Sequence, residues 1–209
     1  MITAPGDASV RVWDLTSGME IRRIHGLAKA ASAVTVSSDE RLVAAVDGNS
    51  VKVWNLLSGA LERELKFSSG APTVIAFGGS PSILMTGGTD NAVTQWDTAT
   101  GQQTRQFNGH NEPIRAIAFS EDGKTMATAD TGGTMYVWNF ETGSAGNGFG
   151  PTSTGLDAMA LSADGKWLAS GDKDGEVVLW ERDGDRVGRF GRHDDPLTTL
   201  AFSHDAKFL

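Results

Sequence analysis

Between Leu156 and Phe190 the chain runs in short apolar-polar alternations separated by turn chemistry. Leu156 to Leu161 is apolar at alternate positions, and Ser162-Ala163-Asp164-Gly165 reads as a turn. Trp167 to Ser170 is a second run, followed by the hairpin signal Asp174-Gly175. Val177 to Trp180 is a third run. After Asp183-Gly184, Arg186 to Phe190 is a fourth. Alternation with period two, broken every 8 to 12 residues, predicts an antiparallel all-β fold. Helical periodicity is absent and no segment reads as a linker, so residues 1–209 are expected to form one domain.

This four-strand unit repeats. Trp13, Trp54, Trp96, Trp138 and Trp180 are spaced 41, 42, 42 and 42 residues apart. Each ends a similar run, such as Val51-Lys52-Val53-Trp54-Asn55 or Val177-Val178-Leu179-Trp180-Glu181. Gly18, Gly59, Gly101 and Gly143 fall four residues after the acidic or amide residue that follows the Trp, and Gly184 comes one residue early. The units are approximately 1–26, 27–68, 69–110, 111–152 and 153–193, with 194–209 beginning a further one. A four-stranded meander buries both faces only by stacking on its neighbours, which is the logic of a propeller.

The Trp-Asp pairs Trp13-Asp14 and Trp96-Asp97, the Gly109-His110 dipeptide and the phrase Ala118-Phe119-Ser120-Glu121-Asp122-Gly123-Lys124 resemble the WD-repeat β-propeller family over the whole chain. The period is that of this family. The resemblance implies a propeller of four-stranded blades with about five blade-equivalents. It also implies a polar tetrad pinning each blade: a His, a Ser or Thr ten residues before the Trp, and an Asp six before it.

Carried onto this chain, the tetrad is uneven. Thr86, Asp90 and Trp96 fit in the third unit, with Ser68 at the His position. His110, Thr128 and Trp138 fit in the fourth, where Gly132 stands at the Asp position and Asp130 is the substitute. Ser170, Asp174 and Trp180 fit in the fifth, with Thr152 at the His position. The second unit is one residue short, with Ala44 or Ala45 at the hydroxyl position and Asp47 displaced, so it is expected to be the least pinned. In the fourth unit the last strand would be Ser144 to Gly150, whose glycines predict a bulged or poorly formed edge.

The ends leave two architectures open. Leu197 to Phe202 reads as a first strand, His204-Asp205-Ala206 as a turn, and Lys207 to Leu209 as the opening of a second strand. Ile2-Thr3-Ala4 reads as a second strand. Joining Leu209 to Met1 continues the 42-residue interval and completes a tetrad of His193, Thr3, Asp7 and Trp13, as in a closed five-bladed ring. A break inside a strand fits a fragment of a larger ring, which could self-associate through open blade edges.

Composition narrows the chemistry. With 18 Lys plus Arg against 26 Asp plus Glu, the net charge is −8, which argues against a nucleic-acid partner. Zero cysteine excludes disulfides and thiolate metal sites. No apolar run is long enough to span a membrane and residues 1–7 lack a signal-peptide pattern, so a cytoplasmic setting is expected. Asp172 to Glu176 only superficially resembles a calcium loop, lacking the third Asp and distal Glu. Gly146, Gly148 and Gly150 precede no helix that could bind phosphate. No Gly-x-Ser-x-Gly elbow occurs. No catalytic, metal or cofactor site is expected.

By the same resemblance, one rim carries the loops before first strands and between second and third strands. Asp47, Glu112, Asp130, Asp172, Glu176 and Asp194 fall there as candidate partner-binding residues, with Asp90, Asp174 and Asp195 beside them and Lys29, Lys173 and Arg192 interspersed. An acidic rim favours a basic protein or peptide. The third residue after each Trp is Thr16, Leu57, Ala99, Glu141 or Asp183, and none is the Arg of the family's variant that docks ubiquitin-ligase adaptors. The expected function is a non-catalytic scaffold for protein or peptide partners. The alternative is a regulatory or sensor propeller of a larger enzyme.

Overall fold

A computed structural model describes residues 1–146, 148–150 and 155–209. The chain divides into two compact units, Met1–Gln106 and Phe107–Leu209. All regular elements among the described residues are strands, arranged as antiparallel meanders.

The first unit opens with a three-stranded sheet, β1 (Ile2–Thr3), β2 (Val10–Trp13) and β3 (Glu20–Ile24). A four-stranded sheet follows: β4 (Val34–Val36), β5 (Leu42–Asp47), β6 (Ser50–Asn55) and β7 (Leu61–Lys66). A second comprises β8 (Pro72–Gly78), β9 (Ser80–Gly88), β10 (Val93–Asp97) and β11 (Gln102–Phe107), whose last residue begins the second unit. The second unit holds β12 (Ile114–Phe119), β13 (Thr125–Asp130) and β14 (Met135–Asn139), then β15 (Ala158–Leu161), β16 (Trp167–Gly171), β17 (Glu176–Glu181) and β18 (Arg186–Arg192).

The Trp repeat is a register repeat. Trp54, Trp96, Trp138 and Trp180 stand opposite Val43, Leu84, Met126 and Leu168 on the preceding strand. Each indole packs against the sheet before it. Trp54 shares a cluster with Val10 and Ile24, and Trp96 shares one with Val51, Val53 and Leu65. Trp138 meets Phe107 edge-on at 5.3 Å between ring centroids, and Trp180 meets Phe149 at 5.8 Å. The four are 2–8% exposed. At roughly 1.5–3 kcal/mol for burying one large side chain, these indoles are the largest single apolar contributions in each sheet.

The residue after each Trp closes a turn. Asp14 Oδ1 accepts the N–H groups of Thr16 and Ser17 at 2.7 and 2.8 Å. Asn55 does the same for Leu57 and Ser58, and Asp97 for Ala99 and Thr100. The glycine four residues on takes positive φ, 70° at Gly18 and 74° at Gly59 and Gly101, which only glycine adopts cheaply.

Two expected strands differ. The fourth unit's outer edge is reduced to two bridges, Met135↔Phe149 and Trp138↔Ala145, as its glycines foretold; Asn147 within it lies outside the described residues. Leu197 to Phe202 and Lys207 to Leu209 are not strands, because no neighbouring strand satisfies their backbone. The turn between them is nevertheless built. Ser203 Oγ donates to Asp205 and accepts the Phe208 N–H at 3.0 Å, as Ser120 and Ser162 do in their own turns.

Candidate functional site

The most connected polar cluster lies in the second unit, at the end of β13. Trp138 Nε1–H donates to Thr128 Oγ1 at 2.8 Å, and Thr128 Oγ1 lies 2.8 Å from His110 Nε2. His110 Nδ1 lies 2.9 Å from Asp130 Oδ2, and Asp130 Oδ1 accepts the Thr134 N–H at 2.9 Å. With the imidazole proton on Nδ1, the hydroxyl donates to Nε2 and every donor in the chain finds an acceptor. Thr128 and Asp130 are no more than 1% exposed and His110 is 7% exposed. Burial holds the imidazole below its ordinary pKa, outweighing the Asp130 carboxylate beside it.

This is the complete tetrad, and its carboxylate is Asp130, two residues after the hydroxyl. The fifth unit repeats that spacing. Trp180 Nε1–H donates to Ser170 Oγ at 2.9 Å, and the buried carboxylate is Asp172, which accepts the Asp174 and Glu176 N–H groups at 3.0 and 2.9 Å. Asp174 itself is exposed and is not the pinning residue. Asp90 is likewise exposed, although Trp96 does bond Thr86 at 2.9 Å. Trp13 bonds Thr3 at 2.8 Å, while the Asp7 carboxylate turns to Ser9 and Arg11, which hold its pKa down at about 2. His193 uses its own backbone N–H to bond Gly175 O at 2.8 Å. Thr152 lies outside the described residues.

The second unit of the repeat, short of a hydroxyl, is pinned differently. Pairing register puts Ala45 opposite Lys52, where the fourth unit pairs Thr128 with Tyr136. Asp47, 8% exposed, accepts the Ala28 N–H at 2.9 Å and an ion pair from Lys52 Nζ at 2.8 Å. The Lys52 ammonium also bonds the Gly26 carbonyl. A lysine therefore takes the part that His110 plays for Asp130. The strand pattern Thr128-Ala129-Asp130 and Ser170-Gly171-Asp172, a hydroxyl residue followed two later by Asp, was the available signal for the true buried carboxylates.

These placements correct the candidate rim. Asp47, Asp130 and Asp172 are buried and bonded internally, which removes them from any docking surface. Glu176 is 19% exposed at its side chain and ion-paired with Arg189 at 2.5 Å. Glu112, Asp174, Asp194 and Asp195 are exposed. Glu112 lies against the Gly132 turn, and Arg192 Nε donates to the Asp174 carbonyl at 2.8 Å, joining the Asp174 and Asp194 loops. Among the described residues, no group of three His, Cys, Asp or Glu is placed to hold a metal ion, and no helix is long and apolar enough to cross a membrane.

Residues 101–139 and 148–181 match the family model described as WD domain, G-beta repeat. No curated protein matches the chain in sequence. Each matched segment holds a Trp in the shared register, Trp138 and Trp180, with its pinning hydroxyl, and the same register runs through the unmatched sheets. The chain belongs to the WD-repeat family.

Proposed function

We propose that the chain is a non-catalytic scaffold that binds a basic protein or peptide through the exposed acidic loops of its second unit. WD repeats generally mediate protein–protein interaction. The observation that carries the reading is a division of labour among acidic groups. The buried carboxylates and the buried imidazole are committed to backbone N–H groups, hydroxyls and each other. Glu112, Asp174, Asp194 and Asp195 stand exposed on loops at the ends of antiparallel strands. Arg115 Nη2 lies 3.7 Å from Asp157 Oδ1, tying the start of β12 to the start of β15, so these loops share one end of the unit. Lys173 and Arg192 intervene, leaving an acidic excess that attracts cations and quickens encounter.

The test is fluorescence anisotropy with a labelled Lys/Arg-rich peptide and its Glu-rich counterpart at low and physiological salt. Saturable binding of the basic peptide alone, weakened at least tenfold in a Glu112→Lys, Asp194→Lys double variant, is expected. Equal binding of both peptides, or none, would remove this reading.

A further inference from the structure

A second repeat runs nine residues behind the Trp repeat. Arg22, Arg63, Arg105 and Arg189 each follow their Trp by that interval. In the first unit these arginines reach forward to the next sheet. Arg22 Nη1 donates to the Ser58 carbonyl at 3.1 Å, and Arg63 Nε donates to the Ala99 carbonyl at 3.1 Å. Both carbonyls belong to the turns that follow Trp54 and Trp96. Each sheet thus receives its successor twice, with an apolar seat for the indole and an arginine for the turn after it.

The seat is equally regular. Residues three and one before a Trp, with the residue eleven after it, face the next indole. Val51, Val53 and Leu65 cluster with Trp96, and Met135, Val137 and Phe149 with Trp180. On the last sheet the corresponding residues are Val177 and Leu179, with Phe190 beside Gly191. They line a cavity of about 400 Å³ shared with Phe202, Phe208 and Leu209, and it holds no Trp. Phe190 is 64% and Phe208 73% exposed. Arg189 has no following turn in its own unit and pairs with Glu176 of its own sheet instead.

The complementary half is on the first sheet. Trp13 is the half-buried member of the repeated Trp set. Its turn, Asp14 to Gly18, has the same Asp-capped geometry and positive-φ glycine as the turns that Arg22 and Arg63 clasp. No arginine of the first unit bonds the Thr16 or Ser17 carbonyl.

We infer that the β15–β18 sheet is a docking surface for the β1–β3 sheet of a second copy of this chain, with Trp13 entering the Val177, Leu179 and Phe190 seat and Arg189 releasing Glu176 to clasp the Thr16–Ser17 turn. What covers the equivalent faces elsewhere in this molecule is a Trp-bearing sheet followed by an Asp-capped turn, and the first sheet has that form. The contact is heterologous, so copies join head to tail. It draws nothing from the acidic loops, and its failure would leave the peptide-binding reading intact.

Light scattering of the purified 209-residue chain over a thousandfold range of concentration tests it. The weight-average mass is expected to climb above the 22.1 kDa of one chain. Arg189→Glu is expected to shift that rise to at least tenfold higher concentration without changing the unfolding midpoint. Absence of cysteine allows a geometric check. Chains carrying Ser17→Cys mixed with chains carrying Val187→Cys should be joined by a short bis-maleimide, while neither alone should be. Mass fixed at one chain throughout overturns the inference. So does crosslinking within single chains of the Ser17→Cys, Val187→Cys double variant at high dilution with no joining of the mixed single variants, which would make the chain its own partner.

Discussion

At the scale of residues, the hydroxyl at Thr128 carries more than any other single group. It links the Trp138 indole to the His110 imidazole, so Thr128→Val strands two buried polar groups at once. At roughly 1–3 kcal/mol for each unsatisfied group, a loss of about 2–4 kcal/mol is expected. Thr86→Val strands only the Trp96 indole and should cost about half as much, both read from urea midpoints. The same network sets a pH dependence. The folded state holds His110 below its ordinary value of 6.5, so the unfolded chain takes up the proton first. Stability is therefore complete above that value and falls as pH drops through it. Denaturation curves between pH 5 and 8 should show this slope, and His110→Gln should flatten it. The hydroxyls and indoles were legible from spacing alone. The carboxylates were not, because the strand end admits Asp at more than one position and burial depends on which one turns inward. Asp130 and Asp172 turn in where Asp174 and Asp90 stay out.

The turns between first and second strands show strain of a similar kind. Ser37-Ser38-Asp39-Glu40-Arg41, Ser120 to Lys124, Ser162 to Lys166 and Ser203 to Lys207 share one geometry, in which the fourth residue takes positive φ. Gly123 and Gly165 suit it, while Glu40 at 58° and Ala206 at 54° do not. Relief of about 1 kcal/mol, less some chain entropy, makes Glu40→Gly neutral to stabilising by up to about 1 kcal/mol. Thermal melts of that variant check the sign.

Elements here are decided by neighbours as much as by their own pattern. Leu197 to Phe202 alternates as well as β15 does, yet it is not a strand, since strand pairing needs a partner that local sequence does not specify. The edge beyond β14 fails for an internal reason. Gly148 lies under the Tyr136 ring, where an added Cβ would come within 2.8 Å of Cζ, so the glycine that weakens the strand is also demanded by packing. Gly148→Ala is expected to destabilise by about 1–3 kcal/mol through this overlap, measured as a lower urea midpoint. The lysine that replaces a histidine at Asp47 was invisible to spacing. It comes from the opposite strand and is recognised only once Ala45 is known to pair with Lys52.

For the whole molecule, repetition explains both what is ordered and what is left over. Each sheet supplies a seat, an arginine and a turn, and the last sheet keeps a vacant seat for the same reason that the others are filled. The function follows the same economy: polar residues inside the sheets fix them, and those on the loops face outward. The account's central claim is that hydrogen-bonded polar pins, beyond burial, hold the Trp-bearing sheets. Indole N–H exchange with solvent, followed by NMR with Trp→Phe variants for assignment, tests it most directly. Trp54 and Trp138 are 2% and 4% exposed, but Trp138 donates to Thr128 while Trp54 faces Ala45 on the adjoining strand. Slower exchange at Trp138, lost in Thr128→Val, is the expected result. Exchange at Trp54 as slow as at Trp138, and unchanged rates in Thr128→Val, would contradict the claim.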